Sequence, residues 1–120
     1  MSASIGERLV QAIAALDPDA IAACFSPDVE FRALIPPGLR EREGADEVAA
    51  LISAWFADST ELDLVEFTTD EVGDRLGLGY RFEGIEEGQP YVVEQHLVCT
   101  VSGDRIHRAD LLCSGFRPRD

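Results

Sequence analysis

The sequence predicts an α+β domain, with helices gathered in the first half and an antiparallel sheet in the second. Three observations carry that expectation. Apolar residues recur at helical spacing over 5–16 and 45–56, every segment after residue 60 runs strand-like between short turns, and 120 residues suffice for one real core but not two. Four long strands in succession read as a meander, and helices written before a sheet pack against one of its faces. Residues 1–120 are therefore expected to form a single domain.

In chain order, Ser4 followed by Glu7 is a capping box, and Ile5, Leu9, Ala12, Ile13 and Leu16 mark the buried stripe of a first helix. Asp17 then caps a short second helix that has Pro18 at its first position and Ile21, Ala22 and Phe25 on its apolar face, ending near Ser26-Pro27. Val29, Phe31 and Ala33 alternate with Glu30 and Arg32, the pattern of a strand over 28–34. IPPGLRERE, residues 35–43, reads as a polar loop able to serve as a lid. Val48, Leu51, Ile52, Trp55 and Phe56 give the cleanest helical spacing in the chain. Then come ELDLVEFTT, RLGLGYRFEG, YVVEQHLVCTV and RIHRADLLCSGF, separated by the turn signals EEGQP and SGD.

Composition narrows the function classes. Twenty-three acids face ten bases, all arginine, for a net charge of −13, which repels phosphate backbones and anionic lipid and so excludes nucleic acid and membrane surfaces as partners. No stretch approaches the ~20 apolar residues of a bilayer span, and the N-terminus lacks the basic-then-apolar order of a signal peptide. Cys24, Cys99 and Cys113 are odd in number and sit among apolar neighbours, as free thiols do in a reducing compartment; a cytoplasmic protein is expected. GLGYRFEG lacks the spacing of a dinucleotide fingerprint, and Cys113-Ser114-Gly115 is not a nucleophile elbow. His96, His107, Glu94 and Asp110 show no recognised metal spacing, so neither metal nor cofactor is expected.

The informative feature is the parity of residues 91–101. One face carries Val92, Glu94, His96, Val98 and Thr100; the other carries Tyr91, Val93, Gln95, Leu97, Cys99 and Val101. Both are substantially apolar, so both are expected to be covered, one by helices and the other by a second subunit. Glu94 and His96, on one face and at least partly buried, read either as an acid–base pair or as a structural hydrogen-bond or ion pair. Trp55, Phe56, Tyr80 and Phe82 read as core, with the Tyr80 hydroxyl as a functional atom, and Arg32 and Arg81 as ion-pairing groups on the opposite faces of their strands.

The order of helix, short helix with DPDAIAACFSPDVEF, loop, EGADEV helix and a meander ending in SGDRI resembles the nuclear transport factor 2-like superfamily, in its SnoaL-like branch. The resemblance implies a cone-shaped curved antiparallel sheet wrapped around the helices, an apolar pocket inside, dimerisation through the outer sheet face, and cofactor-free acid–base chemistry of the kind run by ketosteroid isomerases and polyketide cyclases. It places His96, with Glu94, on the concave face. It also sends His107, Ala109, Leu111 and Cys113 inward and turns Asp110 outward, unless a bulge intervenes. Ala33 stands where the isomerases keep a general base, and Leu111 where epoxide hydrolases keep a final aspartate. Two functions follow. In the first, His96, Glu94 and Tyr80 isomerise, cyclise or dehydrate an apolar enolisable compound held by Phe31, Trp55, Phe56, Phe82, Val98, Leu111 and Cys113. In the second, the same domain binds a ligand or dimerises without catalysis, and Glu94 and His96 are structural.

Overall fold

A computed structural model describes residues 4–119; Met1–Ala3, the start of the segment read for a signal peptide, and Asp120 lie outside the described residues. Helix α1 (Ile5–Ala14) starts as its sequence dictates, with the Ser4 hydroxyl accepting from the Glu7 N–H at 3.2 Å. In α2 (Pro18–Ala22) the Asp17 carboxylate accepts from the Ala20 N–H at 3.2 Å, and Pro18 occupies a first-turn position where its missing N–H costs nothing. Helix α3 (Ala45–Phe56) has no side-chain cap; Gly44 precedes it at φ 89°, a conformation that favours glycine.

The strands are β1 (Phe25–Ile35), β2 (Gly38–Glu43), β3 (Ser59–Val72), β4 (Arg75–Glu86), β5 (Gln89–Ser102), β6 (Arg105–Cys113) and the two-residue β7 (Arg117–Pro118). They form one curved sheet in the order β2-β1-β6-β5-β4-β3, with β7 added to β5; β1 and β6 run parallel and the other pairs antiparallel. The segment expected to be a loop and lid is instead the β1–β2 hairpin, with Glu30 opposite Glu43 and Ile35 opposite Gly38. Its charged residues mislead because an edge strand in water carries charge for the same reason a loop does, and because charge deters edge-to-edge pairing. The opposite edge, β3, is guarded similarly: Thr60 and Val65 stand out of register with β4, and Glu61, Asp63, Glu66, Asp70 and Glu71 are exposed.

The core lies between the concave face and the helices. α1 contributes Leu9, Val10 and Ile13, α3 contributes Val48, Ile52 and Phe56, and the sheet supplies Phe31, Ala33, Leu76, Leu78, Phe82, Val93, Leu97, Ile106, Ala109 and Leu111, all buried. A run of edge-on aromatic contacts crosses it, with centroids 5.4 Å apart for Tyr80–Phe82 and 5.6 Å for Phe56–Phe82. Each such pair adds about 0.5–1.5 kcal/mol beyond the area it buries.

The outer face is not covered by any element of the described residues, which leaves it to the second subunit expected there, and the partial burial expected of Glu94 and His96 is not found within the chain. Glu94, His96 and Val98 point outward and are exposed, Val98 by 57%. The reason is one of register. The face of β5 with Tyr91, Val93, Leu97 and Cys99 is the heavier apolar set, and a shift of one residue would expose all four while burying a carboxylate and an imidazole. His107 is likewise outside rather than inside. Thr100 pairs with Arg108 and Val101 with Ile106, so His107 is the extra residue of a bulge and breaks any parity count from the turn at Gly103. Beyond it, Ala109 and Leu111 face inward and Asp110 outward as expected.

Candidate functional site

Tyr80 on β4 and Gln95 on β5 are direct cross-strand partners on the concave face. The Tyr80 hydroxyl donates to Gln95 Oε1 at 2.5 Å, and Gln95 Nε2 donates to the Cys113 sulfur at 3.4 Å. The Gly115 N–H reaches the same sulfur at 3.4 Å. Gln95 is wholly inaccessible to solvent, and among the described residues it and Ser26 are the only buried side chains in the polar class. A glutamine amide has two donors and two acceptor lone pairs; Tyr80 and Cys113 engage one of each, which leaves one N–H and one lone pair free in an apolar interior. A buried polar group is costly until its hydrogen-bonding capacity is met, which is why these three side chains are joined.

Burial is the main reason the Tyr80 phenol is held far above its ordinary range, with the neighbouring Cys113 and Cys99 adding to the rise. Tyr80 is therefore a permanent hydrogen-bond donor near neutral pH and not a proton shuttle. The Cys99 thiol is pushed up to about 12, by burial first and by the Asp110 carboxylate second, and stays protonated too. Among the described residues, the buried interior holds no carboxylate and no imidazole.

Phe31, Phe56, Phe82 and Leu111 are buried in the packed interior, Trp55 packs partly buried against Phe31 with ring centroids 6.5 Å apart, and Cys113 is half-buried at the end of β6. Val98 does not join them; it lies on the outer face. His96 and Glu94 are there too, on the opposite side of the sheet from the buried Tyr80 and Gln95. Gln95 is not among the sequence candidates, although a signal for it exists: it is the one amide in the otherwise apolar set Tyr91, Val93, Leu97 and Cys99. Phe116 is absent from them as well, since nothing in its local pattern shows that it turns back to meet Phe56 and Tyr91, each at 5.5 Å.

On the outer face, cross-strand pairing sets side chains in rows. One row runs Thr68, Gly79, His96, Leu112, Leu34, Leu39 from β3 to β2; the next runs Asp70, Gly77, Val98, Asp110, Arg32, Glu41. The His96 ring lies over Gly79, where a Cβ would sit 2.7 Å from His96 Cε1. Arg32 Nε meets Asp110 Oδ1 at 2.8 Å, and Arg81 meets Glu83 at 3.6 Å, the ion-pairing roles expected of both arginines. Between the rows is a groove of about 340 Å³ lined by Leu34, Leu39, His96, Val98, Leu112 and the Arg32–Asp110 pair. No helix among the described residues is long and apolar enough to cross a membrane, and no cluster of three or more His, Cys, Asp or Glu able to hold a metal occurs among them.

Comparison with solved structures finds the same fold at low identity. A hypothetical protein of Catenulispora acidiphila with a ketosteroid isomerase-like fold, solved with trimethylamine, aligns over 92% of this chain and 85% of its own, at 15% identity and a TM-score of 0.77. A candidate polyketide cyclase of Xanthomonas campestris aligns over 90% and 86%, at 21% identity and 0.73. A candidate isomerase of Bacillus subtilis aligns over 90% and 84%, at 16% and 0.75. No curated protein matches the sequence. The SnoaL-like domain profile matches residues 7–109, most of the chain, and the chain therefore belongs to the SnoaL-like domain family.

Proposed function

We propose that residues 1–120 act as one SnoaL-like domain that binds, without transforming, a small and mostly apolar molecule carrying a carbonyl or hydroxyl group. The carrying observation is the Tyr80–Gln95 pair, wholly buried in an apolar cone with hydrogen-bonding capacity to spare. Acid–base isomerisation, cyclisation or dehydration there would need a side chain that exchanges protons near neutral pH. The described residues bring no carboxylate or imidazole into the buried interior, and Tyr80 and Cys99 both hold their protons well above neutrality. Binding is the function these groups support.

Titration calorimetry with 2-naphthol and naphthalene tests the reading, because the two differ by one hydroxyl. The hydroxyl should improve affinity by roughly tenfold, the worth of a net hydrogen bond of about 1.4 kcal/mol, and Gln95→Leu and Tyr80→Phe should each erase most of that preference. A protein that binds both equally, or neither, overturns it.

The outer face supports a homodimer as well. Leu34, Leu39, Val98 and Leu112 are four of the eight exposed large hydrophobic residues among those described, and they gather around one groove. Arg32 and Asp110 beside them give a two-fold partner charges of both signs to match. Leu112→Glu should turn a dimer into a folded monomer in sedimentation equilibrium; a wild-type monomer at high concentration would refute this. Three free thiols, two of them buried, support a cytoplasmic location.

A further inference from the structure

Residues 114–119 form a strap laid against the start of β5. After Cys113 the backbone turns at Gly115, φ 85°, and crosses to the beginning of β5, where Arg117 pairs with Val92 and Pro118 with Tyr91. This strap lies beyond the part of the chain that matches the SnoaL-like domain, which ends at residue 109. Its one large apolar side chain, Phe116, is half-buried and packs against Phe56 and Tyr91, with centroids 5.5 Å away in each case. Behind Phe56 come Phe82 and then Tyr80, the donor of the polar pair.

We propose that the strap, residues 114–119, is a gate, and that the Phe116 ring occupies the place taken by the apolar ring of a ligand when the gate opens. The inference rests on the cone being the ligand site. Three features make the strap separable from the sheet. Its polar ties among the described residues are mostly peripheral: the Ser114 N–H to Glu94 O at 2.9 Å, the Glu94 N–H to the Ser114 hydroxyl at 2.9 Å, the Arg119 N–H to Pro90 O at 3.1 Å and an Arg119–Glu83 ion pair at 3.4 Å, with the Gly115 N–H to Cys113 Sγ at 3.4 Å as the inner one. A surface ion pair of that kind holds weakly. The strap also pairs with β5 only where β6 has ended, since Gln95 opposite Cys113 is the last β5–β6 pair, so its release breaks no interior ladder. Gly115 supplies the turn, at a φ that favours glycine. When the strap lifts, the Phe116 ring leaves its place against Phe56 and Tyr91, and Phe56 is joined through Phe82 to Tyr80. The ligand class is accordingly a ring-bearing apolar molecule whose polar group lies ahead of the ring.

If only the open fraction of the protein binds, removing the plug raises apparent affinity by the reciprocal of that fraction. Naphthalene, which makes no hydrogen bond, reads the gate alone, whereas the preference for 2-naphthol reads the polar pair; the two inferences can therefore fail separately. Phe116→Ala should bind naphthalene at least ~10-fold more tightly than the unaltered chain. In the unaltered chain, the amide hydrogens of Ser114 and Arg119 should exchange at least ~100-fold faster than those of Leu97 and Cys99, because the strap opens without global unfolding. Equal naphthalene affinity in the two proteins, or strap amides as slow as those of the core, overturns the proposal. The exchange measurement needs no variant and decides alone if Phe116→Ala does not fold.

Discussion

On β5 the side chains of Tyr91, Val93, Gln95, Leu97 and Cys99 are buried, while Glu94, His96 and Val98, alternating with them, are exposed. The two sets share a backbone and differ by one step of parity. The inner set is apolar except for one amide, and that amide has partners in Tyr80 and Cys113. The outer set is charged or half apolar, ordered into rows by its neighbours on β4 and β6. An interior tolerates polarity only when hydrogen-bonded, whereas a surface tolerates nearly any residue and organises them by cross-strand proximity. A carboxylate and an imidazole two residues apart are thus a stronger sign of an outward face than of an active site.

If that contrast is right, removing bulk should be costly on one face and nearly free on the other. Phe82, fully buried, should lose about 3–5 kcal/mol of stability on truncation to alanine in urea denaturation. Val98→Ala, measured at dilutions where the chain is monomeric, should stay within about 0.5 kcal/mol. Similar losses for the two would break the comparison.

Adding bulk sharpens it. A Cβ on Gly84 would lie 2.6 Å from the Tyr91 ring, which is anchored by a 2.6 Å hydrogen bond to Ser59, and 2.8 Å from the Glu61 carbonyl oxygen. With backbone on one side and a tethered ring on the other, Gly84→Ala should cost about 1–3 kcal/mol. The space beside Gly79 is crowded by His96 and Thr68 side chains at 2.7 and 2.9 Å, but His96 is free to swing into solvent, and Gly79→Ala should be tolerated within about 1 kcal/mol. Thermal melts of the pair would show whether the outer ring is held as firmly as the inner one.

The smallest effect is a slope with pH. Burial raises the Cys99 thiol from 9.0 to about 12, so between those values the folded chain keeps a proton that the unfolded chain has lost. Stability is then fully present below pH 9.0 and falls as pH rises toward about 12, with the raised Tyr80 phenol adding to the fall above its own ordinary range. Urea midpoints at stepped alkaline pH should decline, and Cys99→Ala should flatten the decline. A variant with an unchanged slope would mean that Cys99 is less enclosed than its position implies.

Much of the fold is legible in the sequence. The Ser4 and Asp17 caps, the stripe of α3 and the four long strands follow from rules spanning a few residues, because capping and amphipathic periodicity are local. The polar hairpin strand β2 is not legible, since an edge strand and a loop in water obey the same compositional rule. The inward set of β5 is only half legible. Parity divides its residues correctly into two groups, but both groups are apolar enough to be core, and the choice between them depends on which surface the helices cover.

By itself, then, the sequence determined the α+β order, the helix starts, the alternation that groups Glu94 with His96, and the net charge of −13. Only the tertiary structure decided that this group faces out, that Gln95 meets Tyr80 inside the cone, and that Phe116 returns to pack against Phe56 and Tyr91. The physical reason is range. Caps and periodicity are satisfied within one or two turns of chain, whereas a register, a bulge at His107 and a contact from Phe116 to Phe56 are settled by residues that are neighbours only after folding.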